Sequence, residues 1–346
     1  MKLNDISILK NGKKCKYDED GQIPIYGSNG VIGYTDKSNS RKNSIVIGRV
    51  GANAGSVFFS AQDHWVSDNA ISVTPDTDKV NPHYLYYVLV KLNLNRLVEG
   101  SAQPLLNQSI LNSFEIKIPD IQTQNKVVER INVFDKKIVL NKKINDNLFK
   151  LAKIHFDRQL DSENIKFSQI STIQNGYAFK SKEYVDTNEL MILRTKNIND
   201  NHLFSKNDVV YISKELFDEY KKFSFSAFDT VLVMVGASIG KTGFVTSNMT
   251  PSLQNQNMWR FRPKMSNIPG LLIFQYVNYI NKHVIGSATG SARSFYRKKL
   301  FSEFEVPRIN STNYIYFDTL QREIDHLNTE NEILYRIKHS LLNYYF

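Results

Sequence analysis

Apolar residues recur along the chain with two different periods. Residues 121–158 contain no Gly and no Pro, and Val127, Ile131, Phe134 and Ile138 step by four, three and four. The stepping continues through Asn141, Asn145, Leu148 and Ala152. Residues 317–345 repeat it, with Phe317, Leu320, Ile324, Leu327, Asn331, Leu334, Leu341 and Tyr345. That is the heptad seam of long helices that pack on one another. The first predicts a rod about 57 Å long at ~1.5 Å per residue. No single domain covers such a length, which favours a helix pair over two separately docked amphipathic helices. Asn at a seam position costs stability and fixes register, so Asn141, Asn145 and Asn331 are expected to align one helix on the other. Elsewhere the signals are shorter. Residues 44–50 and 230–235 are apolar, β-branched runs that end at a Gly, which predicts strands meeting turns. Residues 82–94 and 269–282 read as helices with Pro in or near the first turn.

The chain also repeats itself. Ile6-Ser7-Ile8-Leu9-Lys10-Asn11-Gly12 is matched by Ile170-Ser171-Thr172-Ile173-Gln174-Asn175-Gly176, and Val50-Gly51-Ala52-Asn53-Ala54-Gly55 by Val235-Gly236-Ala237-Ser238-Ile239-Gly240. Gly100-Ser101-Ala102 returns as Gly290-Ser291-Ala292, and Phe114-Glu115-Ile116, with Pro119 shortly after, as Phe304-Glu305-Val306-Pro307. One match is chance; four in the same order point to duplication. The predicted organisation is a mixed α and β domain over 1–120, a helix over 121–160, a second such domain over 161–310 and a second helix over 311–346. The fold class is α+β, two mixed domains in tandem, separated and followed by long helices forming an antiparallel coiled coil.

Composition narrows the function. With 41% hydrophobic and 23% charged residues in 346, the chain is an ordinary globular one rather than a disordered one. Its apolar runs fall far short of the ~20 residues a membrane helix needs, and the alternating Met1–Lys10 stretch is not expected to be a signal peptide. The single cysteine, Cys15, sits among lysines and excludes an internal disulfide; a reducing, cytoplasmic setting is expected. Lys and Arg number 44 against 34 Asp and Glu, a net +10 that points first to nucleic acid. Two similar but non-identical globules spaced by helices suit a split, asymmetric DNA site, since half-site spacing follows the distance between reading elements.

At this point the sequence resembles the specificity (S) subunits of type I restriction–modification systems and of their relatives that cut on both sides of their site. The residues that carry the likeness are Ile23-Pro24-Ile25-Tyr26-Gly27-Ser28-Asn29-Gly30-Val31-Ile32-Gly33-Tyr34, the two Gly-Ala-x-x-Gly turns, Gly100-Ser101-Ala102-Gln103-Pro104, and the helix entry Pro119-Asp120-Ile121-Gln122-Thr123-Gln124. The second domain has Asn175-Gly176-Tyr177-Ala178-Phe179-Lys180-Ser181 where the first has its Tyr-Gly-x-Asn-Gly opening. The resemblance covers essentially the whole chain. It implies a non-catalytic subunit without cofactors of its own, which binds double-stranded DNA through its recognition domains. It also implies two modification (M) subunits, recruited by the helix pair and the adjacent domain surfaces, which methylate adenine with S-adenosylmethionine. In restriction-competent assemblies ATP-driven motor-nuclease (R) subunits join. A coiled-coil scaffold whose globules bind protein rather than DNA stays open at this stage.

Enzyme-like motifs dissolve on inspection. Gly236 to Thr242 imitates a phosphate-binding loop, yet three residues stand between Gly236 and Gly240 where that loop requires four. Asn81-Pro82-His83-Tyr84 imitates the loop in which an adenine methylase holds a flipped base, but lacks the second Pro and an upstream cofactor loop. The seven histidines are scattered without metal-ligand spacing. No catalytic or metal residue is assigned. For DNA contact, Arg, Lys, Asn and Gln on exposed loops are the residue types that read base edges and hold phosphates. The candidates are Arg41, Lys42, Arg49, Asn53, Gln103 and Asn107 in the first half. In the second they are Arg194, Lys196, Asn197, Lys241, Arg293, Arg297, Lys298 and Lys299, the last cluster interleaved with Phe295 and Tyr296.

Overall fold

The computed structural model describes residues 1–97, 105–160, 163–186, 189–288 and 296–346. They divide into two compact units, Met1–Lys136 with Leu334–Phe346, and Lys137–Ile333.

The first unit opens with α1 (Leu3–Ile6) and β1 (Ser7–Asn11), then β2 (Ile23–Gly27), β3 (Gly30–Thr35), β4 (Ser44–Gly48), β5 (Val57–Ser60), β6 (Trp65–Val66) and β7 (Ala70–Pro75). Helices α2 (Pro82–Lys91) and α3 (Gln108–Ser113) follow, and then the long helix α4 (Ile121–Asp157) begins. The main sheet is antiparallel in the order β1-β7-β4-β5; a second sheet has the order β3-β2-β6, with β2 and β6 parallel. All five residues of β4 are buried, which is why its sequence is apolar without alternation. Ile45 and Ile47 pack with Leu9, Ile71 and Leu85, while Val46 faces the other way onto Val66 and Ala70. Val127, Val128 and Ile131 of α4 and the C-terminal Leu341, Leu342 and Phe346 complete that core.

The second unit holds β8 (Asn164–Lys166), β9 (Ser171–Asn175), β10 (Leu190–Leu193), β11 (Val210–Ile212), α5 (Phe217–Tyr220), β12 (Thr230–Val233), β13 (Thr242–Phe244), β14 (Ser252–Gln254) and β15 (Met258–Pro263). After these come α6 (Gly270–Ala288), α7 (Lys298–Glu303), β16 (Glu305–Pro307) and the start of α8 (Tyr314–Tyr345). Its main sheet has the order β13-β12-β15-β9 and its second sheet β11-β10-β14, with β10 and β14 parallel. Strand for strand this is the arrangement of the first unit. The core joins Phe244, Trp259 and Phe261 to Leu271, Tyr276 and Ile280 of α6, with Phe149, Ala152 and Phe156 of α4 and Phe317 and Ile324 of α8.

The duplication reaches individual hydrogen bonds. Leu3 N donates to Phe114 O at 2.9 Å, and Phe167 N to Phe304 O at 2.9 Å. Gly12 N donates to Ala70 O, and Gly176 N to Met258 O. Gln124, wholly buried in the first turn of α4, accepts from Asn81 N at 2.8 Å; Gln321, buried early in α8, accepts from Leu271 N at 3.2 Å. Each glutamine stitches a long helix to the first turn of α2 or α6, whose leading N–H groups have no partner within their own helix.

The two long helices run antiparallel within each unit. In the first, Arg130 donates to the Tyr345 hydroxyl at 2.7 Å and Lys338 pairs with Asp135. In the second, Lys137 pairs with Glu330 at 3.2 Å, and Asn141 Nδ2 donates to Asn331 Oδ1 at 3.0 Å and Glu330 Oε2 at 2.6 Å. Asn145 is equally buried, but its amide finds no hydrogen-bond partner among the described residues, so it contributes no bond to the register there.

Candidate nucleic-acid interface

The Asn-Gly ends of β1 and β9 and the Gly-Ala-x-x-Gly turns lie far apart in the chain and come together around one asparagine turn in each unit. In the first, the strand β4 exits into a turn with Gly51 at φ +73° and Gly55 at φ +89°; in the second, β12 exits into Gly236 at +93° and Gly240 at +86°. Only glycine adopts such angles readily. The turns are closed by the same bonds: Gly55 N to Gly48 O at 2.8 Å, and Gly240 N to Val233 O at 2.9 Å. Beside each lies an asparagine turn. Arg49 N donates to Asn69 O at 2.9 Å, and Met234 N to Asn257 O at 3.0 Å. Leu106 N returns to Arg49 O and Tyr296 N to Met234 O, which ties in the segments following the Gly-Ser-Ala stretches. Those stretches, with Gln103, Arg293 and Phe295, lie outside the described residues. Tyr296 is buried, its hydroxyl donates to Asn281, and burial pushes its pKa up to about 12.

The charged candidates divide accordingly. Asn53 is exposed on the first glycine turn, and Arg49 beside it is half-buried, its Nε without a hydrogen-bond partner among the described residues. Asn107 is exposed and caps α3, accepting from Ser109 N at 3.1 Å. Arg41 and Lys42 are exposed, but they precede β4 whereas the turn follows it. The strand therefore separates them from Arg49 by about 20 Å at ~3.3 Å per residue, and the structure does not bring them to the glycine turn. In the second unit Arg194, Lys196 and Asn197 sit in the excursion between β10 and β11. Arg194 bonds the Asp208 carbonyl, and Lys196 lies 3.4 Å from the Asp208 carboxylate. Asn197 is 1% exposed; its Oδ1 accepts from Arg194 N and its Nδ2 donates to Asn207 O, so the side chain shapes the loop and does not face a ligand. Lys241 is paired with Asp200 at 2.9 Å, outside any phosphate-loop geometry. Arg297, Lys298 and Lys299 are exposed at the start of α7.

Sequence reasoning missed a third group. Tyr17 is 64% exposed, yet its ring lies where a Cβ on Gly33 would stand, 2.3 Å from Cδ1. Val31, Ile32 and Tyr34 of β3 are also exposed, and an open pocket of about 240 Å³ lies between Lys14, Tyr17, Ile32 and the Asp68-Asn69 turn. The signal available was an aromatic beside three lysines, with a glycine in the following hairpin. One buried and two half-buried histidines serve packing: desolvation holds His64, His83 and His202 below the usual imidazole pKa. Among the described residues no group of three or more His, Cys, Asp or Glu could hold a metal, and no helix is long and apolar enough to cross a membrane.

Residues 1–149 and 159–337 both match the model of the type I restriction modification DNA specificity domain. The chain belongs to that family. The two matched stretches correspond to the two copies of the repeated scaffold. The specificity-domain chain is 22% identical over 294 residues to the type I restriction enzyme MjaVIII specificity subunit of Methanocaldococcus jannaschii, covering 77% of this chain and 68% of that protein. It is 22% identical over 258 residues to a putative type I restriction enzyme specificity subunit of Haemophilus influenzae, S.HindORF215P, covering 69% of this chain and 64% of that one. The crystal structure of the type I restriction–modification S subunit from M. genitalium aligns with a TM-score of 0.57 at 16% identity, over 99% of this chain and 94% of that one, a likeness of fold.

Proposed function

We propose that this chain is the DNA-recognition subunit of a restriction–modification assembly, without chemistry of its own, which reads an asymmetric two-part site with one unit on each half. The observation that carries the reading is the repeated scaffold itself: matching strand order and turn bonds in both units, with different residues between them. A fixed frame presents; variable segments discriminate. The net charge of +10 supplies the sequence-independent attraction to the phosphate backbone.

The helices supply the second role. Val133, Leu140, Leu151 and Ile154 are exposed along α4, as are Ile315, Ile333 and Ile337 along α8. Val133 and Leu140 are one heptad apart, and helical spacing places Leu151 on the same face. An exposed apolar stripe of this kind fits partner helices, and we assign it to two adenine-methylating M subunits. S-adenosylmethionine then belongs to the M subunits and ATP to R subunits where these join; the working compartment is the cytoplasm, with its reduced Cys15.

The test is a salt titration of the chain, in complex with its methylase, on duplex DNA. Affinity should fall linearly in log–log form with salt, with a slope of about −0.9 per phosphate contact. Absent or salt-independent binding at low salt overturns the DNA reading and favours a protein-binding scaffold.

A further inference from the structure

The two second sheets are built alike and finished differently. In the second unit Leu190, Ile192 and Leu253 are roofed by Tyr220, with Leu216, Phe217 and Phe223 packed around them. The corresponding sheet of the first unit, β3-β2-β6, lacks such a roof among the described residues and leaves Val31 (47%), Ile32 (40%) and Tyr34 (50%) open to solvent. Tyr17 stands beside them as a fixed platform, since its ring rests on the backbone at Gly33. Lys13, Lys14 and Lys16 are exposed nearby and make no ion pair among the described residues. Asp18, Glu19 and Asp20 follow in the same segment, where Asp18 N is bonded to Tyr34 O, whereas Lys13 N is bonded to Val66 O beside the Asp68 turn. The positive charge thus gathers near the turn and the negative charge lies further along the hairpin.

Beside that platform stands the Asp68-Asn69 turn. Asn69 and Asn257 are equivalent, each carbonyl accepting from the residue before a glycine-turn motif. The residues just before them, Asp68 and Gln256, therefore hold one place on a repeated frame with different hydrogen-bonding capacity. An ionised Asp only accepts; a Gln both donates and accepts. The Asp68 carboxylate makes no hydrogen bond or ion pair to a described residue. A carboxylate amid lysines, facing an open pocket with an aromatic wall, is poorly suited to phosphate and well suited to an exocyclic amino group in the major groove, cytosine N4 first and adenine N6 second.

We infer that Asp68, with the Tyr17 platform, reads a base edge of the first half-site, and that Gln256 reads the equivalent position of the second. This rests on the DNA-recognition reading above and deepens it: the difference between the two residues is one source of the site's asymmetry. The lysines hold backbone phosphates at the first half-site.

The experiment complements a deletion of this gene with variants of the full chain and maps the adenine-methylation motif on native DNA. D68N is expected to relax the preference at one base pair of one half-site on the order of tenfold or more, leaving the other half and the gap unchanged. Q256E should alter only the other half. G33A, which displaces Tyr17, should blur the same half as D68N. K14Q and K16Q should leave the motif intact, with each lowering the salt slope of the purified complex by about 0.9. The inference is overturned if D68N retains the wild-type motif at full stringency. It is equally overturned if D68N strengthens binding to all sequences alike, since the carboxylate then merely repels phosphate, or if the variants lose assembly with the methylase instead. A wild-type chain that yields no motif and no salt-dependent binding removes the underlying reading, and this inference with it.

Discussion

The two units share a frame and part company at the connections around their second sheets, where β11 is followed by α5 and the segment 213–229 while β3 runs to β4 through 36–43 alone. Between β2 and β3 of the first stand only Ser28 and Asn29; between β10 and β11 of the second runs the excursion 194–209. In the first unit Val31, Ile32 and Tyr34 of β3 stay exposed while β2 is buried or half-buried. The long excursion of the second is fastened down: the His202 ring packs edge-on against Phe149 of α4 and Phe274 of α6, Lys206 pairs with Glu332 of α8 at 2.7 Å, and Asp200 with Lys241. The main sheets, glycine turns and helix-entry glutamines are alike. Variation is therefore concentrated where it does not disturb the core, on the second sheet and its connections. That division of labour fits the proposal that one common frame serves two different half-sites.

The comparison can be broken most severely at Gly12 and Gly176. A Cβ on Gly12 would lie 2.0 Å from Ser67 O, and one on Gly176 1.8 Å from Asn255 O, both rigid backbone. G12A and G176A should each cost about 3 kcal/mol or more, read as a lowered urea midpoint; a loss at one glycine but not the other would show that the frames are not equivalent. Next come the glutamine stitches. Q124L and Q321L each strand a helix-start N–H and should cost about 1–3 kcal/mol apiece, with similar values expected in both units.

The helix seam gives a sign reversal. Asn145→Leu removes a buried amide without partners among the described residues and should raise stability by about 1 kcal/mol, whereas Asn141→Leu strands Asn331 and should lower it by about as much. Thermal melting of the two variants checks this, and equal signs would contradict the assignment of register to the Asn141–Asn331 pair. The smallest effect is expected at His202. Burial depresses its folded pKa below the unfolded value of about 6.5. Its neutral form is thus secure above about pH 6.5, and stability is lost as pH falls from there towards the folded pKa, where only the unfolded chain takes the proton. H202N, which tolerates the local φ of +67°, should flatten that part of the acid limb. The same slope in wild type and variant would show that His202 does not contribute.

Much of the frame was legible because its signals are local. The heptad stepping marks the helices that the structure forms over Ile121–Asp157 and Tyr314–Tyr345, and the apolar runs at 44–50 and 230–235 become β4 and β12. The repeated Asn-Gly after β1 and β9 was visible as a motif, but its cause, the backbone passing within contact of the asparagine turns, is tertiary. The site was less legible. Lys42 and Arg49 are close in sequence and lie at opposite ends of a strand. Asn197 looks like a reader and is consumed by its own loop. Tyr17 looks like any surface tyrosine until Gly33 is found beneath it, and the roof of Tyr220 and Phe223 that makes the two halves differ depends on packing no spacing rule reports. The 283–288 extension of α6 beyond the expected end at 282 has the same origin, since Val284 is buried against the second core.

The central claim is that one chain reads two half-sites on one repeated frame. Single-molecule sequencing of native host DNA, with the gene intact, deleted, and carrying a deletion of one heptad from each of α4 and α8, tests it most directly. Our account predicts a two-part methyladenine motif with a fixed gap that vanishes on deletion of the gene. In the shortened chain the motif should return with a gap about three base pairs smaller, since seven residues at ~1.5 Å each match about three steps of ~3.4 Å. A methylation map that is the same with and without the gene, or a gap that ignores the shortened helices, would contradict it.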